Sequence, residues 1–234
     1  MAAHVPLAID GQFLGALTNW YKDLDNTLVV SSFEKAIYPA ILDTQQACGR
    51  TTDIPLEVAR EFWFAEHRLP IMVEHFDWPT DEPQIHFWEL FRRYENVERR
   101  VAHTSIIPGA LEAVKRILSQ GRRIHVVTAT GRAMAEGELA LFRQEGIHLP
   151  FTALGDIDAP FAQKPDPAVI RHLLRQHGVR HHRAVVVGDH KDDMRMAKAA
   201  GVHSLYMDVV DRHCPDAAAS CSAHFKSWAD VPLQ

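Results

Sequence analysis

Two aspartates, Asp23 and Asp25, stand two residues apart just after a short apolar segment. In extended backbone such side chains point the same way, and in a turn one carboxylate can face a metal ion while the other handles a proton. A turn or capping pair of aspartates is the competing interpretation, and for this motif alone the more common one. The chemical interpretation therefore depends on the motifs that accompany the pair.

Two further segments carry groups that suit a phosphate. Thr128 begins the sequence Thr-Ala-Thr-Gly-Arg, where a hydroxyl and backbone N–H groups at a helix start could hold a phosphate oxygen. An ordinary threonine helix cap is the alternative. Lys164 precedes Pro165, and a lysine fixed by prolines could offset charge on a phosphoryl group. For any lone lysine, a solvated surface position is the more common alternative.

A second acidic segment follows Gly188, with Asp189, Asp192 and Asp193 inside six residues. Carboxylates at a strand end, beside a glycine that leaves room, suit a hard divalent cation. Acidic residues in the first turn of a helix explain the same pattern without a metal, and Asp192 fits that explanation better than Asp189 does.

The elements that position these groups follow from the alternation of apolar runs and helical patterns in residues 1–30 and 105–234. The apolar runs of this region lie at residues 124–127, 151–154, 184–187 and 204–207. Helical patterns occupy residues 109–119, 133–144, 167–176 and 192–200. This order predicts a Rossmann-like, doubly wound parallel α/β sheet, whose strands end at the edge where ligands bind. Residues 211–222 are predicted to be a loop.

Residues 31–104 form a different region, rich in aromatic side chains and helical in spacing, with amphipathic helices predicted at 56–64 and 85–97. Its aromatic residues could stack on a substrate, but a core of the insertion itself, or its seam with the main domain, is favoured. The aromatic residues considered for this role are Phe62, Trp63, Phe64, Phe87 and Trp88. Four arginines are assigned to a solvated helix face in preference to an anionic substrate. These are Arg92, Arg93, Arg99 and Arg100.

Composition excludes several classes of protein. The 234 residues are 47% hydrophobic and 24% charged, as in ordinary globular proteins, and the net charge of -5 argues against non-specific binding to nucleic acid or an anionic membrane. Three cysteines make no disulfide framework, the N-terminus has no signal-peptide pattern, and no apolar run is long enough for a membrane span. A cytoplasmic protein of open oligomeric state is therefore expected.

Taken together and in this order, the motifs resemble those of the haloacid dehalogenase-like superfamily. The matching positions are residues 23–27, Thr128, Lys164, and Gly188-Asp189 with Asp193. Pro108-Gly109 is similar to the phosphoglycolate phosphatase-like branch of that superfamily. Residues 31–104 lie where the family places a helical cap, so the resemblance implies a core domain of residues 1–30 and 105–234 with a cap inserted.

The resemblance implies a phosphatase that acts on a small phosphorylated metabolite through an aspartyl-phosphate. Asp23 would be the nucleophile, and Asp25 would protonate the leaving oxygen and then activate water. Thr128 and the N–H of Ala129 would bind the phosphoryl oxygens, whose developing charge Lys164 would neutralise.

The resemblance also implies Mg²⁺ as the cofactor. Asp23, the backbone carbonyl of Asp25 and Asp189 would bind the ion directly. Asp193 would bind it through water or orient Lys164. A bound cation lowers the repulsion between a carboxylate nucleophile and a phosphate dianion.

Two alternatives stay open. The first is a phosphomutase, for which His67, Arg68 or His75 could supply the cap group. The second is a partner-binding scaffold without catalysis, against which the intact motif set argues. Lys22 keeps the second alternative alive, because the family usually has an apolar residue before the nucleophile and a buried lysine needs a partner. Asp25 itself argues against dehalogenation, which needs no acid at that position.

Overall fold

The computed structural model describes residues 11–65, 67–210 and 214–233. It divides into two compact units, Met1–Val30 with Ser105–Gln234, and Ser31–Thr104. The segment interpreted as lacking a signal peptide, residues 1–10, lies outside the described residues. Across the described ranges, no helix has both the length and the apolar character needed to cross a bilayer.

Strands and helices alternate along most of the chain. The strands are β1 (Asn19–Lys22), β2 (Val29–Ser31), β3 (Thr104–Ile106), β4 (Arg123–Thr128), β5 (Phe151–Ala153), β6 (Ala184–Gly188), β7 (His203–Met207) and β8 (Ala223–Phe225). The helices are α1 (Gly11–Ala16), α2 (Tyr38–Ala47), α3 (Leu56–Phe64), α4 (Leu69–His75), α5 (Gln84–Tyr94), α6 (Val97–Ala102), α7 (Ala110–Ser119), α8 (Arg132–Gln144), α9 (Ala168–His177), α10 (Lys191–Ala200) and α11 (Pro215–Ser220).

The larger unit is built on a parallel sheet. Within the described part of the chain its six strands have the order β5-β4-β1-β6-β7-β8, and every neighbouring pair is parallel. β1 lies in the middle, where Lys22 pairs with Val126 of β4 and with Val187 of β6. The predicted doubly wound α/β sheet is therefore confirmed. β2 and β3 form a separate two-stranded sheet.

Helices cover both faces of the parallel sheet, because successive side chains of each strand point to opposite faces. On one face Trp20 packs with apolar residues of α7 and α8 and with Trp228. On the other face Tyr21 packs with apolar residues of α9 and α10. Each fully buried apolar side chain contributes about 1.5–3 kcal/mol to stability. The two buried layers fix the carboxyl ends of the strands at one edge.

Two predicted boundaries are wrong. The helix expected over residues 85–97 breaks into α5 and α6, because the side chain of Asn96 accepts a hydrogen bond from Arg99 N at 2.8 Å and caps a new helix. The loop expected over residues 211–222 contains α11, which begins at Pro215, a residue well suited to a first helical turn. Residues 211–213 lie outside the described residues.

The smaller unit, Ser31–Thr104, is helical and has an aromatic core. The ring centroid of Phe62 lies 4.6 Å from that of Phe76 and 5.0 Å from that of Phe87, and all three side chains are fully buried. Trp63 and Trp88 are partly buried against this cluster. The favoured interpretation, that these aromatic residues form the core of the insertion itself, is confirmed.

The basic residues of the smaller unit are mostly engaged within it. Arg100 is buried, forms an ion pair with Glu95 and donates to Ser31 Oγ at 3.2 Å, so its assignment to a solvated face is wrong. Arg99 forms an ion pair with Asp43. Arg68, considered as a cap group for a mutase, donates to two backbone carbonyl oxygens of α3 at 3.1 and 3.2 Å.

Candidate active site

The turn after β1 carries both aspartates of the first motif. Asp23 N donates to Val187 O at 2.8 Å, which extends the pairing of β1 with β6 by one residue. The chain then turns at Asn26, which has a φ of 55° and donates through its N–H to Val29 O at 2.7 Å. Asparagine tolerates this left-handed conformation better than most residues. Asp23 is therefore buried at the strand end, while Asp25 is half-buried inside the turn.

Lys164, in the loop between β5 and α9, bridges two carboxylates. Its Nζ lies 2.6 Å from Asp23 Oδ1 and 2.7 Å from Asp193 Oδ1, and its side chain is 8% exposed. Burial disfavours the ammonium ion, but Asp193 and Asp23 outweigh that effect and raise the pKa of Lys164 above its ordinary value. Lys164 therefore stays positively charged beside Asp23.

Three carboxylates gather at this edge of the sheet. One oxygen from each of Asp23, Asp189 and Asp193 lies within 4.8 Å of the others, and all three residues are buried. Carboxylate oxygens are the donors that Mg²⁺ and Ca²⁺ prefer. The donor set therefore fits a divalent cation.

The same crowding controls protonation. Burial raises the pKa of Asp23 well above its ordinary value, Lys164 opposes the rise, and Asp193 and Asp189 add to it. Burial also raises the pKa of Asp193, again against the effect of Lys164 and with that of Asp189. A cation among these oxygens would favour the charged carboxylates. Positive charge near these oxygens therefore decides whether Asp23 is ionised.

The start of α10 holds Asp193 in place. His190 N donates to Asp193 Oδ2 at 3.3 Å, and His190 Nδ1 accepts from Asp192 N at 3.4 Å, so the two ends form a capping box. A Cβ on Gly188 would lie 2.3 Å from Asp193 Cγ. Only glycine therefore lets the Asp193 carboxylate approach the end of β6 this closely.

The loop after β4 carries Thr128 and Ala129. Thr128 is 1% exposed and its Oγ1 accepts from Thr130 N at 3.1 Å, while Ala129 is exposed. A hydroxyl oxygen can accept this bond and still donate to another acceptor. Gly155 lies very close to this loop, since a Cβ on Gly155 would lie 2.5 Å from Ala129 O. Asp156 accepts from Arg132 N at 3.0 and 3.1 Å and so caps α8.

The structure brings most of the predicted site residues together. Asp23, Lys164, Asp189 and Asp193 share one buried cluster. Asp25 is tied to the Thr128 loop, because Thr130 Oγ1 donates to Asp25 Oδ2 at 2.6 Å. Sequence reasoning missed the roles of Thr130 and of Gly155 and Asp156. The signal was present, since Gly155-Asp156 directly follows an apolar run and therefore marks a strand end.

Lys22 does not enter this cluster. Its side chain is fully buried, and its Nζ lies 3.8 Å from the centroid of the Trp228 ring and 5.5 Å from that of Trp20. Among the described residues, Nζ has no hydrogen-bond partner, and burial lowers the pKa of Lys22 well below its ordinary value. The register of β1 is unaffected. Lys22 therefore packs against an aromatic ring, on the other side of the sheet from Asp23.

The parallel α/β sheet, with the acidic cluster and Lys164 at its carboxyl edge, places the larger unit in the Rossmann-like class of α/β folds. The chain belongs to the haloacid dehalogenase-like hydrolase family, whose model matches residues 23–207. The resemblance found in the sequence motifs is confirmed.

Curated relatives narrow the comparison. A phosphoglycolate phosphatase of Rhodospirillum rubrum is 33% identical over 131 residues, which are 56% of this chain and 53% of that protein, so the match spans about half of its length. A phosphoglycolate phosphatase of Cereibacter sphaeroides is 28% identical over 202 residues, 82% of this chain and 86% of that protein. The structure of CbbY from Rhodobacter sphaeroides, in complex with xylulose-(1,5)-bisphosphate, shares the fold with a TM-score of 0.67 at 22% identity, covering 92% of this chain and 96% of that one.

Proposed function

We propose that this protein is a Mg²⁺-dependent phosphatase that hydrolyses a small phosphate monoester through an aspartyl-phosphate on Asp23. The observation that carries the proposal is the buried contact of 2.6 Å between Asp23 Oδ1 and Lys164 Nζ, inside a cluster with Asp189 and Asp193. A scaffold protein would have no use for three buried carboxylates, whose desolvation costs several kcal/mol per ion.

Binding of the phosphoryl group falls to residues that follow two strands, β4 and β5. Lys164 neutralises the charge that develops on the phosphoryl oxygens, and Thr128 and the N–H of Ala129 donate to those oxygens. The first motif follows β1, the strand next to β4, so Asp23 attacks from a position beside these groups. Phosphoryl transfer of this kind depends mostly on positioning and charge.

Asp23, Asp189, Asp193 and the backbone carbonyl of Asp25 would hold the cation. When bound, Mg²⁺ withdraws charge from the phosphoryl group and lowers its repulsion from the attacking carboxylate. Lys164 favours the ionised form of Asp23, since its positive charge opposes the effect of burial on the pKa of that carboxyl group. Asp25, half-buried in the same turn, donates the proton to the leaving oxygen and later accepts one from water.

Phosphoglycolate heads the substrate panel, because several curated relatives carry the name phosphoglycolate phosphatase. The unit Ser31–Thr104 is proposed to act as a cap that sets substrate choice, on the basis of its place in the chain directly after the first motif. The three cysteines are free thiols, which supports a reducing compartment such as the cytoplasm.

The test is phosphate release from a panel of monoesters, with Mg²⁺ and with EDTA. Asp23→Asn should lower the rate by at least about 1,000-fold, because an amide is not a nucleophile here. Asp158→Asn, a matched change at an exposed position in the same unit, should stay within about twofold. A fully active Asp23→Asn protein would contradict the proposal. An isomerised sugar phosphate in place of free phosphate would identify a mutase instead.

A further inference from the structure

Thr130 makes a contact that links two strand ends. Its Oγ1 lies 2.6 Å from Asp25 Oδ2 although the two residues are 105 positions apart in the chain. Both residues are half-buried, so water competes only partly for the bond. The contact joins the turn after β1 to the loop after β4, and a threonine at a helix start needs no such partner for its usual capping role.

The backbone of Thr130 is fixed on both sides. Its N–H donates to Thr128 Oγ1 at 3.1 Å, and its carbonyl oxygen accepts from Gly155 N at 3.3 Å. A Cβ on Gly155 would lie 2.6 Å from the carbonyl carbon of Thr130, so the two loops are in close contact. With the backbone held in this way, the hydroxyl group reaches Asp25 from a fixed direction.

We propose that Thr130 is a positioning residue that orients Asp25 for proton transfer, an inference that rests on the proposed phosphatase function. The hydroxyl of Thr130 occupies Oδ2 of Asp25. This bond fixes the direction in which the carboxyl group of Asp25 points. A threonine hydroxyl can donate both to a carboxylate oxygen and to the carbonyl oxygen of a carboxylic acid, so the bond can form in both protonation states.

The bond serves both chemical steps. In the first, an oxygen of Asp23 bonds to phosphorus, the ester P–O bond breaks, and the carboxyl proton of Asp25 passes to the leaving oxygen. In the second, a water oxygen bonds to phosphorus, the P–O bond to Asp23 breaks, and the water proton passes to Asp25. Thr130 exchanges no proton in either step and only holds the acid in line.

This role has a signature that a purely structural role lacks. An alkyl phosphate needs a proton on its leaving oxygen, whereas p-nitrophenolate leaves without one. Loss of the Thr130 hydroxyl should therefore slow phosphorylation by alkyl phosphates and spare phosphorylation by p-nitrophenyl phosphate. The water step needs Asp25 as a base with either substrate, so it should slow in both cases.

The experiment compares Thr130→Val, which removes the hydroxyl at nearly constant volume, with Thr130→Ser, which keeps it. The value of kcat/KM is measured with phosphoglycolate, or with the best alkyl phosphate of the panel, and with p-nitrophenyl phosphate. For Thr130→Val we expect a loss of about 100-fold with the alkyl ester and of less than about threefold with the aryl ester. A rapid burst of p-nitrophenolate should also appear, approaching one per active site. Thr130→Ser should keep the wild-type ratio of the two substrates.

Equal losses with both esters and no burst would overturn the inference, and so would a Thr130→Val protein that matches the wild type. Thermal unfolding of each variant identifies a folding defect, and Thr130→Ala then repeats the comparison with a smaller side chain. A wild-type protein that is inactive on every monoester overturns the proposed function, and this inference with it. A wild-type protein that is active and insensitive to Thr130 overturns the inference alone.

Discussion

Two buried lysines, Lys22 and Lys164, lie close to Asp23 in opposite environments. Lys164 lies between two carboxylates, which raise its pKa despite burial. Lys22 lies on the other face of the same central strand, over the ring of Trp228, where burial lowers its pKa. The alternation of side chains along β1 separates the two environments. The lysine next to Asp23 in the sequence thus lies against an aromatic ring, while Lys164, distant in the chain, places its charge beside Asp23.

The largest effect is expected from removing the charge of Lys164 between its two carboxylates. Lys164→Met should lower kcat/KM by about 1,000-fold, because the developing phosphoryl charge loses its counterion. It should also lower the free energy of unfolding by about 3 kcal/mol in EDTA, because buried carboxylates lose their partner. Steady-state kinetics and denaturant unfolding measure the two effects.

Two matched variants control this test. Lys164→Arg keeps the positive charge and should retain most of the stability, and Lys115→Met removes a half-exposed lysine and should change neither quantity by more than a small amount. Wild-type turnover in Lys164→Met would show that the site does not use this charge.

A smaller effect is expected from moving Asp193, the second carboxylate that holds Lys164. In Gly188→Ala the new Cβ would lie 2.3 Å from Asp193 Cγ, so the carboxylate must shift. We expect Mg²⁺ to bind about 10–100-fold more weakly, as measured by the Mg²⁺ dependence of turnover or by calorimetry. Gly15→Ala, where the nearest atom is 4.0 Å away, is the control. Unchanged Mg²⁺ binding in Gly188→Ala would remove Asp193 from the cation site.

The smallest effect is expected from replacing Lys22, on the opposite face of β1. Lys22→Met should raise the free energy of unfolding by about 1–3 kcal/mol near pH 7, because the wild-type amine is buried and no described residue offers it a hydrogen bond. Turnover should stay within about threefold, since Lys22 lies outside the acidic cluster. A loss of activity in Lys22→Met as large as that in Asp23→Asn would instead place Lys22 in the catalytic machinery.

The same variant has a defined pH dependence. The folded-state pKa of Lys22 is lowered, so the unfolded chain binds more protons than the folded one between that pKa and the ordinary lysine value of about 10.4. The stability of the wild type should therefore rise with pH across this window, and its deficit relative to Lys22→Met should shrink towards pH 10. A difference that is constant from pH 7 to pH 10 would contradict a lowered pKa of Lys22 in the folded protein.

The sequence is sufficient to predict the sheet and the grouping of the acidic motifs. Buried parallel strands are continuous apolar runs, and their carboxyl ends meet at one edge, so Asp23 and Asp189 were expected together. The surroundings of Lys22 were not predictable in this way. Its partner Trp228 lies near the C-terminal end of the chain and is fixed by tertiary packing, including a bond of 2.7 Å from Trp228 Nε1 to Thr27 O.

Local capping and loop direction explain the other differences between prediction and structure. The apolar pattern continues across residues 85–97, but the capping side chain of Asn96 starts a new helix there. The link from Thr130 to Asp25 depends on the directions of two loops, and those directions follow from Gly155 and from the turn at Asn26. Such contacts join positions far apart in the chain, and periodicity carries no information about them.

The central claim is that Asp23 carries the phosphoryl group during turnover. The most direct measurement mixes the enzyme with Mg²⁺ and substrate and quenches the reaction in acid within the first turnovers. The protein is then digested, and the masses of its peptides are measured by mass spectrometry. We expect one added phosphoryl group on the peptide that contains Asp23. This group should disappear as turnover ends and should never form in Asp23→Asn. Active enzyme whose peptides remain unmodified, or are modified at another residue, would contradict it.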